Sequence, residues 1–187
     1  EDNKVRVFDP VAGGEALVVL DGHIDNLNAL TAFTDPVTGE SRLVSGSGGR
    51  YADKTVRVWN PAASGAAIEA EPKGHSKIVC ALVTFVDPAT GALRVATGSR
   101  DKTIRVWDAE TGGALLVIDV SKAVNALVAF ADPATGALRL ACGCRREVHI
   151  YDPVAGGEAL LVLEVGSAVS ALTVFEDPAT GGLRLAS

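Results

Sequence analysis

One segment occurs four times in this 187-residue chain, and the repetition constrains the fold more than any other feature. The copies read LNALTAF, VCALVTF, VNALVAF and VSALTVF, and their final phenylalanines are 52, 45 and 45 residues apart. Each copy is followed by Asp-Pro-x-Thr-Gly and then by an arginine with a short apolar run. A VRVWN-like and an ALLVI-like segment also recur with each copy. The chain therefore consists of four units, each with four short apolar segments.

The residue types of these segments predict β-strands. The segments are rich in valine, leucine and aromatic residues and are bounded by Gly, Pro, Asp and Thr. Glycine and proline recur too often for a helix to complete three turns. In Asp-Pro-x-Thr-Gly, proline presets φ, the aspartate can bond to the backbone ahead and glycine accepts a positive φ. This element is therefore predicted to be a turn between strands.

Four short antiparallel strands per unit predict an all-β chain folded as a β-propeller, with one four-stranded blade per unit. A β-sandwich would also have short strands, but it would not repeat in this way. The predicted single unit covers 1–187, with blade strands at 27–71, 79–119 and 124–163 and a split blade made of 169–187 plus 4–20. We expect the first strand of each blade to be buried on both faces and the third to be half-exposed. We also expect His149 to be exposed, because the other third strands have arginine at this position.

Specific residues within the units resemble a known family. The run GSRDKTIRVWD at 98–108 resembles the end of a WD repeat, and the Gly-His pairs at 22–23 and 74–75 resemble its opening. The resemblance covers essentially the whole chain. It implies a propeller in which a His, a strand Ser or Thr, a turn Asp and a strand Trp form a buried structural network. The positions that match are His23, Ser45, Asp53 and Trp59 in one unit, and His75, Thr97, Asp101 and Trp107 in the next.

The other two units depart from the family pattern. In the third unit the four network positions hold Val120, Cys142, either Arg146 or Glu147, and Tyr151. In the fourth they hold Val165, Ser187, Asp2 and Phe8, of which Ser187 and Asp2 can serve only if the chain ends meet. Because phenylalanine has no N–H donor, the network cannot close in the fourth unit. Blades three and four are therefore predicted to be less rigid.

The number of blades bears on assembly. The two end segments together make one blade, so the chain has four, whereas propellers of this family usually have about seven. We expect two chains to pair about a two-fold axis into an eight-bladed homodimer, which would bury the apolar faces of an open arc. A closed four-bladed ring and a segment of a longer propeller are the alternatives. The absence of methionine favours a processed, excised or engineered chain.

One loop face is the candidate surface for other partners. The loop at 47–52 is about four residues longer than its counterparts, and projecting Arg and Tyr side chains are common in interaction hot spots. We expect this face to dock other proteins or peptides. The candidate partner-binding residues are Arg50, Tyr51, Lys77, Arg100, Lys122, Arg145 and Arg146.

Composition argues against several functional classes. A net charge of −6 disfavours nucleic-acid binding, and the longest apolar run, 126–131, is too short to cross a membrane. Cys80, Cys142 and Cys144 are too few for a disulfide framework or a metal site, so we predict buried, inert thiols, no cofactor and no metal. Thiol usage favours a reducing compartment, the cytoplasm or the nucleus.

Three functions are compatible with these observations. The first is a non-catalytic protein-interaction scaffold that self-associates into a closed propeller. The second is an engineered or excised propeller fragment made to study blade assembly, with no cellular function of its own. The third and most remote is a hydrolase of small molecules at the channel, for which the inner strands offer no acid, base or metal set. The His, Asp and Ser or Thr sets are not expected to be catalytic triads, because a mid-strand hydroxyl beside an indole is not exposed to a substrate.

Overall fold

All regular secondary structure in the described part of the chain is β-strand. The computed structural model describes residues 2–35, 38–49, 53–62, 67–68 and 74–187, with only the backbone described at 67–68. These residues form sixteen strands, four for each unit of the sequence. The predicted all-β class is confirmed.

The strands form three complete antiparallel blades and two hairpins. The first hairpin consists of β1 (Val5–Val7) and β2 (Val18–Leu20). The first blade consists of β3 (Leu27–Thr34), β4 (Ser41–Ser47), β5 (Val56–Trp59) and β6 (Ala67–Ile68). The second consists of β7 (Val79–Val86), β8 (Leu93–Ser99), β9 (Thr103–Asp108) and β10 (Ala114–Asp119). The third consists of β11 (Ala126–Ala131), β12 (Leu138–Gly143), β13 (Glu147–Tyr151) and β14 (Leu161–Glu164). The last hairpin consists of β15 (Thr173–Glu176) and β16 (Leu183–Ala186).

The two hairpins are the halves of the blade predicted from 169–187 plus 4–20. Within one chain they are separate two-stranded sheets, so no ladder of hydrogen bonds joins β16 to β1. The first hairpin packs instead against the first blade, where Val5 and Leu20 form a buried cluster with Trp59. In a single chain, β16 therefore has a strand partner on one edge only.

The Asp-Pro-x-Thr-Gly turns connect the first and second strands of each blade. In the second blade the Gly91 N–H donates to the Asp87 carbonyl (2.8 Å), and the Asp87 N–H donates to the Ala92 carbonyl (2.8 Å). The Asp87 carboxylate accepts a further bond from the Ala89 N–H (2.9 Å). Gly91 has φ of +70°, which an L side chain rarely adopts. The turn is therefore specified by its aspartate and its glycine, and the same backbone bonds recur at Asp132 and Asp177.

Consecutive sheets stack in chain order, with β3 beside β7, β7 beside β11, and β11 beside β15. Each contact depends on a glycine in the second strand of one blade and a valine before or at the first strand of the next. A Cβ atom on Gly98 would lie only 2.3 Å from Val124 Cγ1. Gly46 approaches Val79, and Gly143 approaches Val169, in the same way. Glycine is required here because any side chain would push the sheets apart.

The expected burial was wrong for the third strands and was met only in part by the first strands. The first strands β7 and β11 are mostly buried or half-buried, but β3 alternates between half-buried and exposed residues. The third strand β13 is buried at every position after Glu147. The second strands β8 and β12 are also mostly buried. Second and third strands have a neighbouring strand on both edges and a stacked sheet across their faces, whereas a first strand is an edge strand. Position in the blade therefore outweighs the polarity pattern.

Candidate functional site

The second blade holds a chain of four hydrogen-bonded side chains. The Trp107 Nε1–H donates to Thr97 Oγ1 (2.9 Å), which lies 2.7 Å from His75 Nε2. His75 Nδ1 lies 2.9 Å from Asp101 Oδ2. An ionised Asp101 accepts from Nδ1–H, so Nε2 accepts the hydroxyl proton of Thr97. With a neutral imidazole, each of the four hydrogen-bonded side chains therefore has a partner.

The electrostatics of this network match that protonation state. Burial lowers the pKa of His75 below its usual value of 6.5, although the neighbouring Asp101 carboxylate opposes the change. Burial by itself would raise the pKa of Asp101, but hydrogen bonds from Thr103, the Ser76 N–H and His75 lower it to about 2. At neutral pH the network therefore contains an aspartate anion and an uncharged histidine.

Asp101 also ties two loops together. Its carboxylate accepts from the Ser76 N–H (2.9 Å) before β7, and from the Thr103 hydroxyl (2.7 Å) and N–H (3.0 Å) at the start of β9. Gly74 precedes the histidine because a Cβ there would lie 2.4 Å from Trp107 Cη2. The network thus holds the entry loop against the turn between β8 and β9, and its role is structural.

The first blade repeats this arrangement. Ser45 Oγ accepts from the Trp59 Nε1–H (2.8 Å) and lies 2.7 Å from His23 Nε2, and His23 Nδ1 lies 2.9 Å from Asp53 Oδ2. Burial would raise the pKa of Asp53, but hydrogen bonds from His23 and Thr55 hold it well below its usual range. Ser45 has no exposed surface. This hydroxyl lacks the exposure to substrate that a catalytic nucleophile requires.

The third blade fills the same region differently. His149 Nε2 lies 2.6 Å from Glu147 Oε2 and its Nδ1 lies 3.2 Å from Tyr151 Oη, while Glu147 also pairs with Lys122. Of the two residues predicted to replace the turn aspartate, Glu147 joins this cluster and Arg146 is exposed. The expected exposure of His149 was wrong, because the imidazole is shorter than the arginine of other blades and finds both partners inside the blade.

Two thiols lie beneath this cluster. Cys142 and Cys144 are both fully buried, and their Sγ atoms are 3.8 Å apart. The hydrogen bond with Cys144 and burial raise the pKa of Cys142, so this thiol stays protonated. No group of three or more His, Cys, Asp or Glu side chains suited to a metal ion occurs among the described residues. The prediction of buried thiols is confirmed for Cys142 and Cys144 but was wrong for Cys80, which is only half-buried because it lies on the edge strand β7.

The fourth set of network positions is not assembled within one chain. Asp2 bonds to Arg6 (Nη1 to Oδ1, 3.0 Å), and Ser187 is exposed. Val165 is half-buried and donates its N–H to the Arg146 carbonyl (2.9 Å). Phe8 is 53% exposed, whereas its counterparts Trp107 and Tyr151 are each 3% exposed. The aromatic position of this unit therefore lacks the cover that complete blades provide.

The candidate loop face is formed by loops that contact one another. The Ser99 hydroxyl donates to the Lys77 carbonyl (3.1 Å), and the Arg100 N–H donates to the Ile78 carbonyl (3.0 Å). Lys77, Arg100, Arg145 and Arg146 are exposed, and no ion pair joins them to any other described residue. Lys122 is instead half-buried and paired with Glu147. The predicted Arg50 and Tyr51 lie outside the described residues.

A cavity of about 490 Å³ opens between the third blade and the last hairpin. Its lining is mostly apolar and includes Phe130, Leu161, Leu163, Val174 and Leu185. Leu163 is 37% exposed, whereas Ile118 and Leu20, at the same position of other units, are each 1% exposed. The outer strand β14 therefore presents apolar side chains that its equivalents bury against a following sheet.

One polar side chain of the first strands has a clear structural role. Asn28 Nδ2 donates to the backbone carbonyls of Asn26 (3.0 Å) and Gly48 (2.7 Å), so its side chain supports a loop. No helix within the described ranges has the length and apolar character needed to cross a bilayer.

Two stretches of the chain match a known protein family. The model of the family described as "WD domain, G-beta repeat" matches residues 14–60 and 68–108. Each matched stretch contains one complete His, Ser or Thr, Asp and Trp network. These two stretches are WD repeats. The predicted family is thereby confirmed for these two stretches, and the stacked four-stranded blades that carry them are those of a β-propeller.

Curated relatives resemble parts of this WD-repeat chain. It is 32% identical over 126 residues to nuclear distribution protein PAC1-2 of Uncinocarpus reesii, covering 58% of this chain and 25% of that protein. It is 39% identical over 83 residues to THO complex subunit 3 of Arabidopsis thaliana, covering 43% and 24% respectively. The chain thus spans about a quarter of the length of these relatives.

Two designed proteins share the fold over nearly the whole chain. The crystal structure of the computationally designed Ika8 protein has a TM-score of 0.69 and 26% identity, covering 98% of this chain and 52% of that one. That of the computationally designed Ika4 protein has a TM-score of 0.63 and 26% identity, covering 92% and 97%. The WD-repeat chain therefore resembles one designed chain of its own length and half of another.

Proposed function

We propose that this chain is a non-catalytic protein-interaction scaffold of WD-repeat type that self-associates into a closed eight-bladed propeller. One observation carries the proposal: β14 and Phe8 expose apolar side chains that equivalent positions in complete blades bury. Exposed apolar side chains at positions that are otherwise buried favour association. The match of two stretches to WD repeats supports a binding role.

The solution mass tests this proposal. Light scattering coupled to size exclusion, over a concentration series, should give twice the chain mass of 19.2 kDa. A constant 19.2 kDa species at every concentration would overturn self-association. A broad, concentration-dependent distribution without a discrete dimer would overturn a closed assembly.

The second proposal is a propeller fragment, engineered or excised, whose property is blade assembly and which has no cellular role of its own. Its support is the similarity, at 26% identity, to two computationally designed proteins of matching fold. A longer natural parent sequence with further domains around these repeats would overturn the engineered origin. The prediction that the protein acts in the cytoplasm or the nucleus stays a proposal under either reading.

The scaffold proposal includes a partner surface on the loop face. Exposed cations without ion pairs suit acidic segments of other proteins. Binding of a fluorescent acidic peptide, followed by polarisation, should weaken about tenfold in the Arg145→Ala and Arg146→Ala double variant. The Ala89→Glu and Ala134→Glu double variant changes the net charge equally on exposed turns of the opposite face and should bind as the parent does. Equal weakening by both variants would show a nonspecific charge effect and overturn the site.

A further inference from the structure

We infer that the β1–β2 hairpin of a second copy pairs with the free edge of β16, covers the apolar cavity beside β14 and completes a four-stranded blade. The inference rests on the proposed self-association and names its joint. Two identical joints, related by a two-fold axis, close the assembly. Strand addition at an open sheet edge provides backbone hydrogen bonds, and the side chains provide specificity.

The complete blades specify the register of the joint. In the third blade Leu140 lies opposite Tyr151, and in the second blade Val95 lies opposite Trp107. Leu185 and Phe8 occupy the same sequence positions as these pairs. The register between copies is therefore Leu185 opposite Phe8, Ala186 opposite Val7, and Ser187 opposite Arg6.

A pair of ion pairs found in the second blade is only partly formed at the end of a single chain. Arg94 contacts two carboxylates, Asp87 (3.6 Å) in the turn and Asp108 (2.5 Å) on the adjoining strand. Arg184 contacts Asp177 in the equivalent turn (3.1 Å). The chain position equivalent to Asp108 is Asp9, which lies on the hairpin that would arrive from the second copy. Pairing of the two copies would thus bring the Asp9 carboxylate of one copy to Arg184 of the other, as the second partner of that arginine.

The apolar surfaces on the two sides of the joint match. The arriving hairpin brings Phe8 to the aromatic position that complete blades bury, and it covers Leu161 and Leu163 on β14. On its other side the completed blade stacks on β3, where Leu30 is 56% exposed. Its counterpart Leu127 is 9% exposed and packs near Gly98 of the preceding blade. One joint therefore buries exposed residues from both ends of the chain.

A second copy fits better than the chain's own hairpin. The β1–β2 hairpin is already packed on the first blade through Val5 and Leu20, and in the single chain it forms no ladder with β16. The chain also superposes on 52% of the designed Ika8 chain, a fold of twice its length. Two copies provide the same number of blades as a chain of that length would.

Disulfide cross-linking tests the joint and its register. Chains carrying only Val7→Cys are mixed with differently tagged chains carrying only Ala186→Cys, and the mixture is oxidised. A covalent dimer containing one chain of each kind is expected, because directly opposed residues meet disulfide geometry. The mixture of Arg6→Cys and Ala186→Cys chains is the matched control. It should yield less cross-link by on the order of tenfold, because a one-residue offset places the thiols on opposite faces.

A second pair of cysteine variants keeps the test valid if the Val7→Cys chain does not fold. Arg6 and Ser187 are both exposed, so Arg6→Cys and Ser187→Cys chains should fold as the parent does and cross-link when mixed. The unsubstituted chain, which has two buried cysteines and the half-buried Cys80, is oxidised alongside and should stay uncross-linked.

The outcomes separate this inference from the proposed self-association. Cross-linking of both in-register mixtures supports the joint. A double variant, Val7→Cys with Ala186→Cys, that forms its disulfide within one chain would show a four-bladed ring and overturn the joint. A mass of two chains without cross-linking in either mixture would overturn the joint and leave self-association standing. A monomeric mass would overturn both.

Discussion

The second and third blades have one backbone design and two different polar interiors. Both are four-stranded antiparallel sheets with the same register between second and third strands, and both place a glycine against a valine of the next unit. The second blade contains Trp107, Thr97, His75 and Asp101 in one network, whereas the third contains Cys142 in place of the hydroxyl and a separate His149 cluster. The blade therefore forms without the network.

The network differs from its replacement in what it fixes. In the second blade Asp101 holds a turn in which Lys102 has φ of +75°, a left-handed conformation that is costly for a side chain. The corresponding turn of the third blade is one residue shorter and contains no residue of positive φ. We infer that in the second blade the network stabilises a longer, strained turn, and that the third blade avoids the need for it.

Replacing the aromatic residue of each network position by phenylalanine should give the largest contrast. Trp107→Phe removes the N–H that bonds to Thr97 and leaves a space, and it should lower the free energy of unfolding by about 2–4 kcal/mol. Tyr151→Phe removes only the hydroxyl that contacts His149 and should cost about 1 kcal/mol. Urea denaturation of both variants measures the difference. Equal losses would break the comparison.

Removing the charge of the turn carboxylate should have the next largest effect. Asp101→Asn weakens four hydrogen bonds and should cost about 2 kcal/mol. Glu147→Gln in the third blade is the matched change, and it should cost clearly less because Glu147 is half-exposed and pairs with a solvated lysine. If thermal unfolding ranked the two variants the other way, the network would not be what stabilises the second blade.

Acid should destabilise the second blade in two steps. The pKa of His75 is lower in the folded protein than in the unfolded chain. As pH drops below 6.5, the unfolded chain therefore binds a proton at His75 that the folded protein does not bind, and stability falls. The folded pKa of Asp101 is about 2 against 3.8, so its contribution is present above pH 3.8 and is lost as pH falls towards 2. Unfolding measured across this pH range in the parent and in Asp101→Asn isolates the second step. An unchanged slope below pH 3.8 in the variant would contradict this assignment.

Substituting glycine into the two turns should have the smallest effect on stability, and the two substitutions should change it in opposite directions. Lys102→Gly relieves the left-handed strain and should stabilise the protein by up to about 1 kcal/mol, net of the entropy that glycine adds to the unfolded chain. Arg145→Gly in the third blade relieves no strain and should destabilise the protein by about 0.5 kcal/mol. Calorimetry would detect the opposite shifts in Tm. Shifts of the same sign would contradict a difference in turn strain.

Much of the fold could be predicted because each repeat contains the turn sequences that separate its strands. Each predicted segment contains a strand, since Asp-Pro-x-Thr-Gly specifies its turn locally through Asp87 and Gly91. The two networks could be located because their units resemble WD repeats, a family in which a His, a Ser or Thr, an Asp and a Trp form a buried network. The burial of His149, and the choice of Glu147 over Arg146, could not be predicted, because both depend on contacts across the blade.

The sequence by itself determined the strands and the turns, because periodicity and turn chemistry act between near neighbours. Its resemblance to WD repeats identified the residues of the two networks, which lie 10 to 30 positions apart. Only the tertiary structure decided which strands are buried, since burial depends on strand order and on the sheets stacked across each face. It also showed that the two end hairpins remain separate sheets in one chain, with apolar side chains exposed beside β16. These side chains are exposed because the equivalent positions of other units are buried by a neighbouring sheet, and that contact joins residues that are distant in sequence.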